Sequence, residues 1–225
     1  MILPIFLIQA FWVKLTVLRL PEPSGQRAGR CGDGKVLKLL IIGDSAAAGV
    51  GVDEQKDALA GQLSTTLAAK HEVYWRLIAN TGFTSADIIK ELKTLTKQKY
   101  DYVLVSVGVN DVTHLKRVKD WTTNLKAIAE LLNFKFGAPI VLLTNIPPMN
   151  KFTAIPFPLN WCLGLRAQKF NKLMINLARN YDRCCVLTLE LPFNHKYIAE
   201  DGFHPSILAY SVWAKQAAEK IASLD

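Results

Sequence analysis

Cysteine is scarce, and its placement excludes more than its number does. Four occur in 225 residues: Cys31 and Cys162 stand alone, Cys184 and Cys185 are adjacent, and no CxxC pair exists to hold zinc or run dithiol chemistry. A chain of this length buries about 70% of its unfolded surface, so it needs no disulfide or metal to hold it. No GxxxxGK[ST] loop is present, and Gly49-Val50-Gly51 lacks the rest of a GxGxxG fingerprint, which argues against a P-loop or dinucleotide enzyme. No metal and no cofactor are expected. What is present, 50% hydrophobic and 20% charged residues, excludes a disordered or low-complexity chain. The net charge of +8 comes from Lys and Arg scattered over many segments. A nucleic-acid binder gathers its charge on one face, so solubility is the reading and no nucleic-acid partner is expected.

The N-terminus is a separate problem. Met1 to Val13 carry no charged side chain; Lys14 and Arg19 follow, then Pro21, Pro23 and Gly25. The apolar run is shorter than the ~20 residues a spanning helix wants. A secretory signal would place charge before the apolar stretch and small residues after it, and this order is reversed. Residues 21–34, rich in Gly, Pro and Arg, read as a linker. The expected division is therefore an arm and linker over 1–34 and one folded domain over 35–225. Leu3, Ile5, Phe6, Leu7, Ile8, Phe11, Trp12 and Val13 require cover, because an apolar patch of that size marks an interface. Trp12 beside Lys14 and Arg19 suits a helix lying in the lipid–water interface, with Arg27 and Arg30 near anionic headgroups. Residues 1–20 are thus expected to make a peripheral contact on the cytoplasmic face of a membrane; folding back onto the domain is the alternative. The oligomeric state is not legible.

From Lys35 onward two hydrophobic periods alternate. Val36–Ile42, Val73–Ala79, Tyr102–Val107, Ile140–Thr144 and Cys184–Leu189 read as strands, the first nearly continuous in apolar residues as a strand buried on both faces would be. Between them lie helical stripes. Leu59, Leu63 and Leu67 make one, Ile88, Ile89, Leu92 and Leu95 a second behind Thr84 as N-cap, and Trp121, Leu125, Ile128 and Leu132 a third. Leu163 to Leu177 marks a long helix, and Tyr210, Trp213, Ala217 and Ile221 line the last, with Pro205 placed for its first turn. Strand–helix alternation without an internal repeat predicts a parallel sheet with helices on both faces, and ligands in such folds bind beyond the carboxyl ends of the strands.

That edge carries the chemistry-bearing residues. Gly43-Asp44-Ser45 follows the first strand, Asn80-Thr81-Gly82 the second, and Gly108-Val109-Asn110-Asp111 the third; Asp201-Gly202-Phe203-His204 precedes the last helix. Ser45 needs a base to become a nucleophile, and His204 is a candidate. Asp201 can hold the imidazole tautomer and stabilise its cation. The backbone N–H groups of Ser45 and Gly82 and the Asn110 amide are fixed uncharged donors of the kind a developing oxyanion wants. Taken singly, each cluster has a plainer reading as a turn or a helix cap. Asp44 and Asp111 read as braces for their own loops, and His71, His114 and His195 as bystanders.

The four blocks, in this order, resemble the SGNH (GDSL-type) hydrolases, whose pattern runs GDS, a glycine, GxND and then DxxH near the C-terminus. The resemblance spans Lys35 to the C-terminus. It implies Ser45 as nucleophile, His204 as general base and Asp201 as the third triad member, with Gly82 and Asn110 completing an oxyanion hole with the Ser45 amide. Ala46 stands where many members have leucine, a departure that leaves these assignments intact. The implied fold is a flavodoxin-like three-layer α/β/α sandwich on a five-stranded parallel sheet. An α/β-hydrolase elbow is excluded separately, since Ala47 occupies the second glycine position of GxSxG.

Substrate is harder to read. Lys151–Leu159 form a long apolar loop, and Phe152, Ile155 and Phe157 either line an acyl pocket or pack against the helix that follows. The expected activity is hydrolysis of short to medium carboxylic esters, lipid-like esters and thioesters included. A carbohydrate O-acetylesterase is the alternative within enzymes. A non-catalytic binding protein and an FMN module are the alternatives outside esterases.

Overall fold

The computed structural model describes residues 3–192 and 194–224, without the side chains of Leu3, Pro4 and Leu7. The apolar contribution expected of Leu3 and Leu7 therefore lies outside the described residues. In chain order the elements are α1 (Leu3–Thr16), β1 (Ala28–Cys31), β2 (Lys35–Gly43), α2 (Ser45–Ala48), α3 (Leu59–Ala68), β3 (His71–Ala79), α4 (Ser85–Thr94) and β4 (Tyr102–Ser106). There follow α5 (Val109–Thr113), α6 (Val118–Lys135), β5 (Ile140–Thr144), a 3-10 turn (Met149–Lys151), α7 (Leu159–Ala178), β6 (Cys184–Leu187) and α8 (Ile207–Ala222).

Six strands form one mixed sheet in the order β1-β3-β2-β4-β5-β6. The five strands expected from the sequence run parallel, and β1 adds an antiparallel edge by pairing Ala28–Cys31 with Val73–Arg76. The linker reading of 21–34 is thereby corrected: part of it is built into the sheet. Four residues holding one glycine are too few to show an alternating pattern, which is why composition concealed the strand.

Side-chain alternation along the strands fills two cores. Leu40, Ile42, Val103, Val105, Val141 and Leu143 face α4, α6 and α7, while Leu39, Ile41, Leu104 and Leu142 face α3 and α8. The result is a three-layer α/β/α sandwich, as such two-sided burial requires. Thr84 caps α4 through a reciprocal box with Asp87. Pro205 lies one residue before the N-cap Ser206 of α8, outside the first turn.

The register then positions the functional loops. Gly43 lies level with Ala79 on one side and Ser106 on the other, so the loops after β2, β3 and β4 leave the sheet together. The chain passes from β2 to β3 on one flank and then to β4 on the opposite flank. That reversal opens a crevice at the carboxyl end of β2, and Ser45 stands there.

Candidate active site

Ser45 is the first residue of α2, behind Asp44 as N-cap. One Asp44 carboxylate oxygen accepts from the Ala46 N–H at 3.2 Å, its carbonyl accepts from Ala48, and its own N–H reaches Ser106 O at 3.1 Å. From beneath, the Tyr210 hydroxyl donates to the carbonyls of Ala46 and Val50 at 3.0 and 2.8 Å, and Gln55 Nε2 donates to Ala48 O at 2.7 Å. The turn that carries Ser45 is thus held from its own side and from α8.

His204 comes to this turn from 159 residues away, its Nε2 lying 2.9 Å from Ser45 Oγ. Its Nδ1 lies 2.5 Å from Asp201 Oδ2. The other Asp201 oxygen accepts from the Phe203 and His204 N–H groups at 2.9 and 3.0 Å. Burial alone would raise the Asp201 pKa, but the His204 ring and these two amides together hold it below the ordinary carboxylate range. An ionised Asp201 draws the ring proton to Nδ1, which leaves Nε2 free to accept from Ser45 Oγ–H. Ser45, His204 and Asp201 therefore form one hydrogen-bonded chain of defined polarity. It can deprotonate a hydroxyl and store the proton.

Three donors stand at the neighbouring loops. The backbone N–H groups of Ser45 and Gly82 have no partner among the described residues. Asn110 Nδ2 donates one hydrogen to Phe83 O at 2.9 Å, which fixes the amide beside Gly82 and leaves its second hydrogen available. Gly82 has φ +87°, while a Cβ added there would meet nothing within 4 Å; backbone conformation, not space, demands glycine. At Gly108 both matter, since φ is +129° and a Cβ would press on Ile146 and Trp121.

The two acids expected to brace their own loops divide. Asp44 does so. Asp111 reaches across instead, accepting from the N–H and Oγ of Ser85 at 2.9 and 2.6 Å, and Asn124 completes that knot at Ser85 Oγ. The α5 turn is thereby tied to the start of α4, next to Gly82. Burial raises the Asp111 pKa, and it pushes Asp44 up to about 7 against the pull of the Ala46 amide and His204.

Sequence reasoning missed a further support. Glu22 Oε1 accepts from the N–H and Oγ1 of Thr81 at 2.7 and 2.8 Å, while Arg27 joins Glu22 Oε2 at 2.6 Å and donates to Ala79 O at 2.7 Å. The supposed linker clamps the loop that carries Gly82. Glu22 and Thr81 lie 59 residues apart, and no motif or period signals such a pair.

Beside Ser45 and His204 opens a largely apolar cavity of about 80 Å³. Of the three residues considered for an acyl pocket, only Phe152 lines it. Ile155 is buried in the core on the α7 side, and Phe157 is 74% exposed beside α1. The loop that carries them is tied to the Asp201–His204 segment at Ala154, whose N–H donates to Gly202 O at 3.3 Å. Phe152 packs on Phe203 at 4.8 Å between ring centres, and Phe203 on His204 at 5.2 Å. Thr144 and Trp213 also line the cavity, and their buried Oγ1 and Nε1 have no hydrogen-bond partner among the described residues. Among the described residues no cluster of His, Cys, Asp or Glu is placed to hold a metal ion.

The GDSL-like lipase/acylhydrolase family model matches residues 41–212, and the chain belongs to that family. Three solved structures share its fold. A lipase/acylhydrolase from Enterococcus faecalis is 20% identical, with 82% of this chain and 95% of that one covered and a TM-score of 0.65. The esterase EstA from Pseudoalteromonas sp., inhibited by monoethylphosphonate, is 19% identical over 83% and 97%, with a TM-score of 0.66. A lipase from a goat rumen metagenome is 19% identical over 81% and 96%, with a TM-score of 0.64. At these identities the likeness is one of fold. No curated protein matches the sequence. Family and fold together make the protein a hydrolase that acts on esters.

Proposed function

We propose that the protein is a serine esterase that cleaves carboxylic esters of short acyl chains through an acyl-enzyme. Ser45 Oγ attacks the ester carbonyl as its proton passes to His204 Nε2, and Asp201 stabilises the imidazolium that forms. The carbonyl oxygen takes up charge against the N–H groups of Ser45 and Gly82 and the free hydrogen of Asn110. Collapse of this intermediate expels the alcohol, which leaves with the proton from Nε2. Water then enters by the same route and frees the acid. The observation that carries the reading is the unbroken chain from Ser45 Oγ through His204 to Asp201, at 2.9 and 2.5 Å.

Chain length follows from the cavity. An apolar cavity of about 150 Å³ holds benzene. A space of about 80 Å³ then takes roughly three or four carbons on the same scale. Butyrate and shorter p-nitrophenyl esters are therefore the expected substrates, with turnover falling steeply for longer chains. Ser45→Ala should lower turnover by at least about 10⁴-fold. A fluorophosphonate probe should label Ser45 alone. Labelling elsewhere, or unaltered turnover in the variant, would remove Ser45 from the mechanism. Preference for acetylated sugars over alkyl esters would assign a carbohydrate O-acetylesterase instead.

A further inference from the structure

Helix α1 is apolar on opposite faces. Phe6, Gln9, Val13 and Val17, spaced three and four apart, are half-buried, so one side of the helix rests on the protein. Phe6 enters the core on the α7 side. Gln9 donates to Phe157 O at 2.7 Å and accepts from the Leu159 N–H at 3.2 Å, which pins α1 to the start of α7. The other side presents Ile8, Phe11 and Leu15, each at least 64% exposed, with Trp12 beside them. Phe157, just before α7, and Trp161 and Leu165 in its first turns are exposed as well, close to where Gln9 ties α1 down. A soluble monomer rarely leaves so many large apolar groups together in water.

Charge says what covers them. Residues 131–181 contain no Asp or Glu and six basic residues, and residues 1–21 contain no acid either. After Trp161 and Leu165 the exposed side of α7 turns cationic with Lys169, Lys172 and Arg179. Lys14 and Arg19 are exposed on the arm. An apolar face edged by tryptophan and by one sign of charge is complementary to an anionic lipid surface. The described helix is short for a span: 14 residues extend about 21 Å against a hydrocarbon core of about 30 Å. Among the described residues no helix is long and apolar enough to cross a membrane.

We infer that the α1–α7 face seats the protein on an anionic lipid surface, with Ile8, Phe11, Trp12 and Leu15 in the headgroup–acyl boundary and Lys169 and Lys172 over the headgroups. The inference stands apart from the ester reading, because it concerns binding and uses none of the strand-end residues.

The test is co-sedimentation of the full chain with vesicles of phosphatidylcholine, with and without phosphatidylglycerol. Binding should favour the anionic vesicles at least tenfold and weaken as salt is raised. Lys169→Gln/Lys172→Gln should cost on the order of twenty-fivefold, since one basic residue near such a surface contributes about fivefold. Ile8→Glu/Phe11→Glu should abolish binding. Both variants should keep wild-type thermal unfolding and wild-type hydrolysis of soluble p-nitrophenyl acetate. Absence of vesicle binding, or equal binding by wild type and variants, overturns the inference. So does a dimer in sedimentation velocity that Ile8→Glu/Phe11→Glu dissolves, because a second copy would then cover the face.

Discussion

The carboxyl end of the sheet and the α1–α7 face break the usual rule of burial in opposite senses. At the sheet end Asp44, Ser85, Asp111 and Asp201 are all buried. Each is tied by a named hydrogen bond to a loop that must stay in place. On the α1–α7 face large apolar side chains are exposed, and the helix beneath them is held by half-buried packing of Phe6 and by the Gln9 hydrogen bonds. Buried polar groups and exposed apolar patches are the two informative departures from an ordinary surface. The first marks a geometry the protein completes by itself. The second marks one that something else must complete.

Four substitutions and one deletion sharpen this contrast, and the largest effect belongs to the sheet end. Asn110→Ala should lower kcat about 10²–10³-fold with little change in KM, because that donor acts mainly in the transition state. A loss confined to KM in steady-state kinetics would make Asn110 a ground-state contact. Glu22→Ala should lower kcat about tenfold, since a small displacement of a loop carrying a reactive-site donor is costly. Glu22→Gln keeps an acceptor for Thr81 and should recover most of the rate.

Asp44 gives a prediction in pH. Its pKa is about 7 in the fold and 3.8 in its ordinary state, so between those values the unfolded chain gives up a proton that the folded one keeps. Stability must then fall as pH rises through that window, by at most about 1.4 kcal/mol per pH unit from this group. Urea unfolding at intervals across the window should show wild type losing stability relative to Asp44→Asn. A parallel pair of curves would mean that Asp44 is ionised in the fold. The smallest effect belongs to the other region. Deleting residues 1–20 should change hydrolysis of a soluble ester less than about twofold, because Gln9 ties the helix to Phe157 and Leu159 and shares no partner with Ser45, His204 or Glu22.

Legibility from sequence follows the range of the interaction. Ile140–Thr144 was readable residue for residue, and Thr84 as a cap, because strand alternation and capping are local. The four strand-end clusters were readable because loop positions follow once strands are placed. The Glu22–Thr81 clamp and the reach of Asp111 to Ser85 were not, since each joins segments that only the folded sheet brings together. Ile155 and Phe157 show the limit of composition. An apolar loop predicts contact with something apolar, but which side chain reaches the cavity depends on the folded path of the loop, which brings Phe152 there and not Ile155 or Phe157.

The segment between α1 and β1 makes cuts only a few residues apart unequal. A protease that cut after Leu20 would remove the helix and leave Glu22, Arg27 and β1 in place. A cut after Arg27, seven residues on, would take the Thr81 clamp away with the helix and loosen the outer strand of the sheet. The first event removes the proposed lipid-binding helix and leaves the clamp intact; the second also costs at least the turnover expected of Glu22→Ala. Limited proteolysis would therefore separate the two roles of this stretch, vesicle binding following the first cut and ester hydrolysis the second.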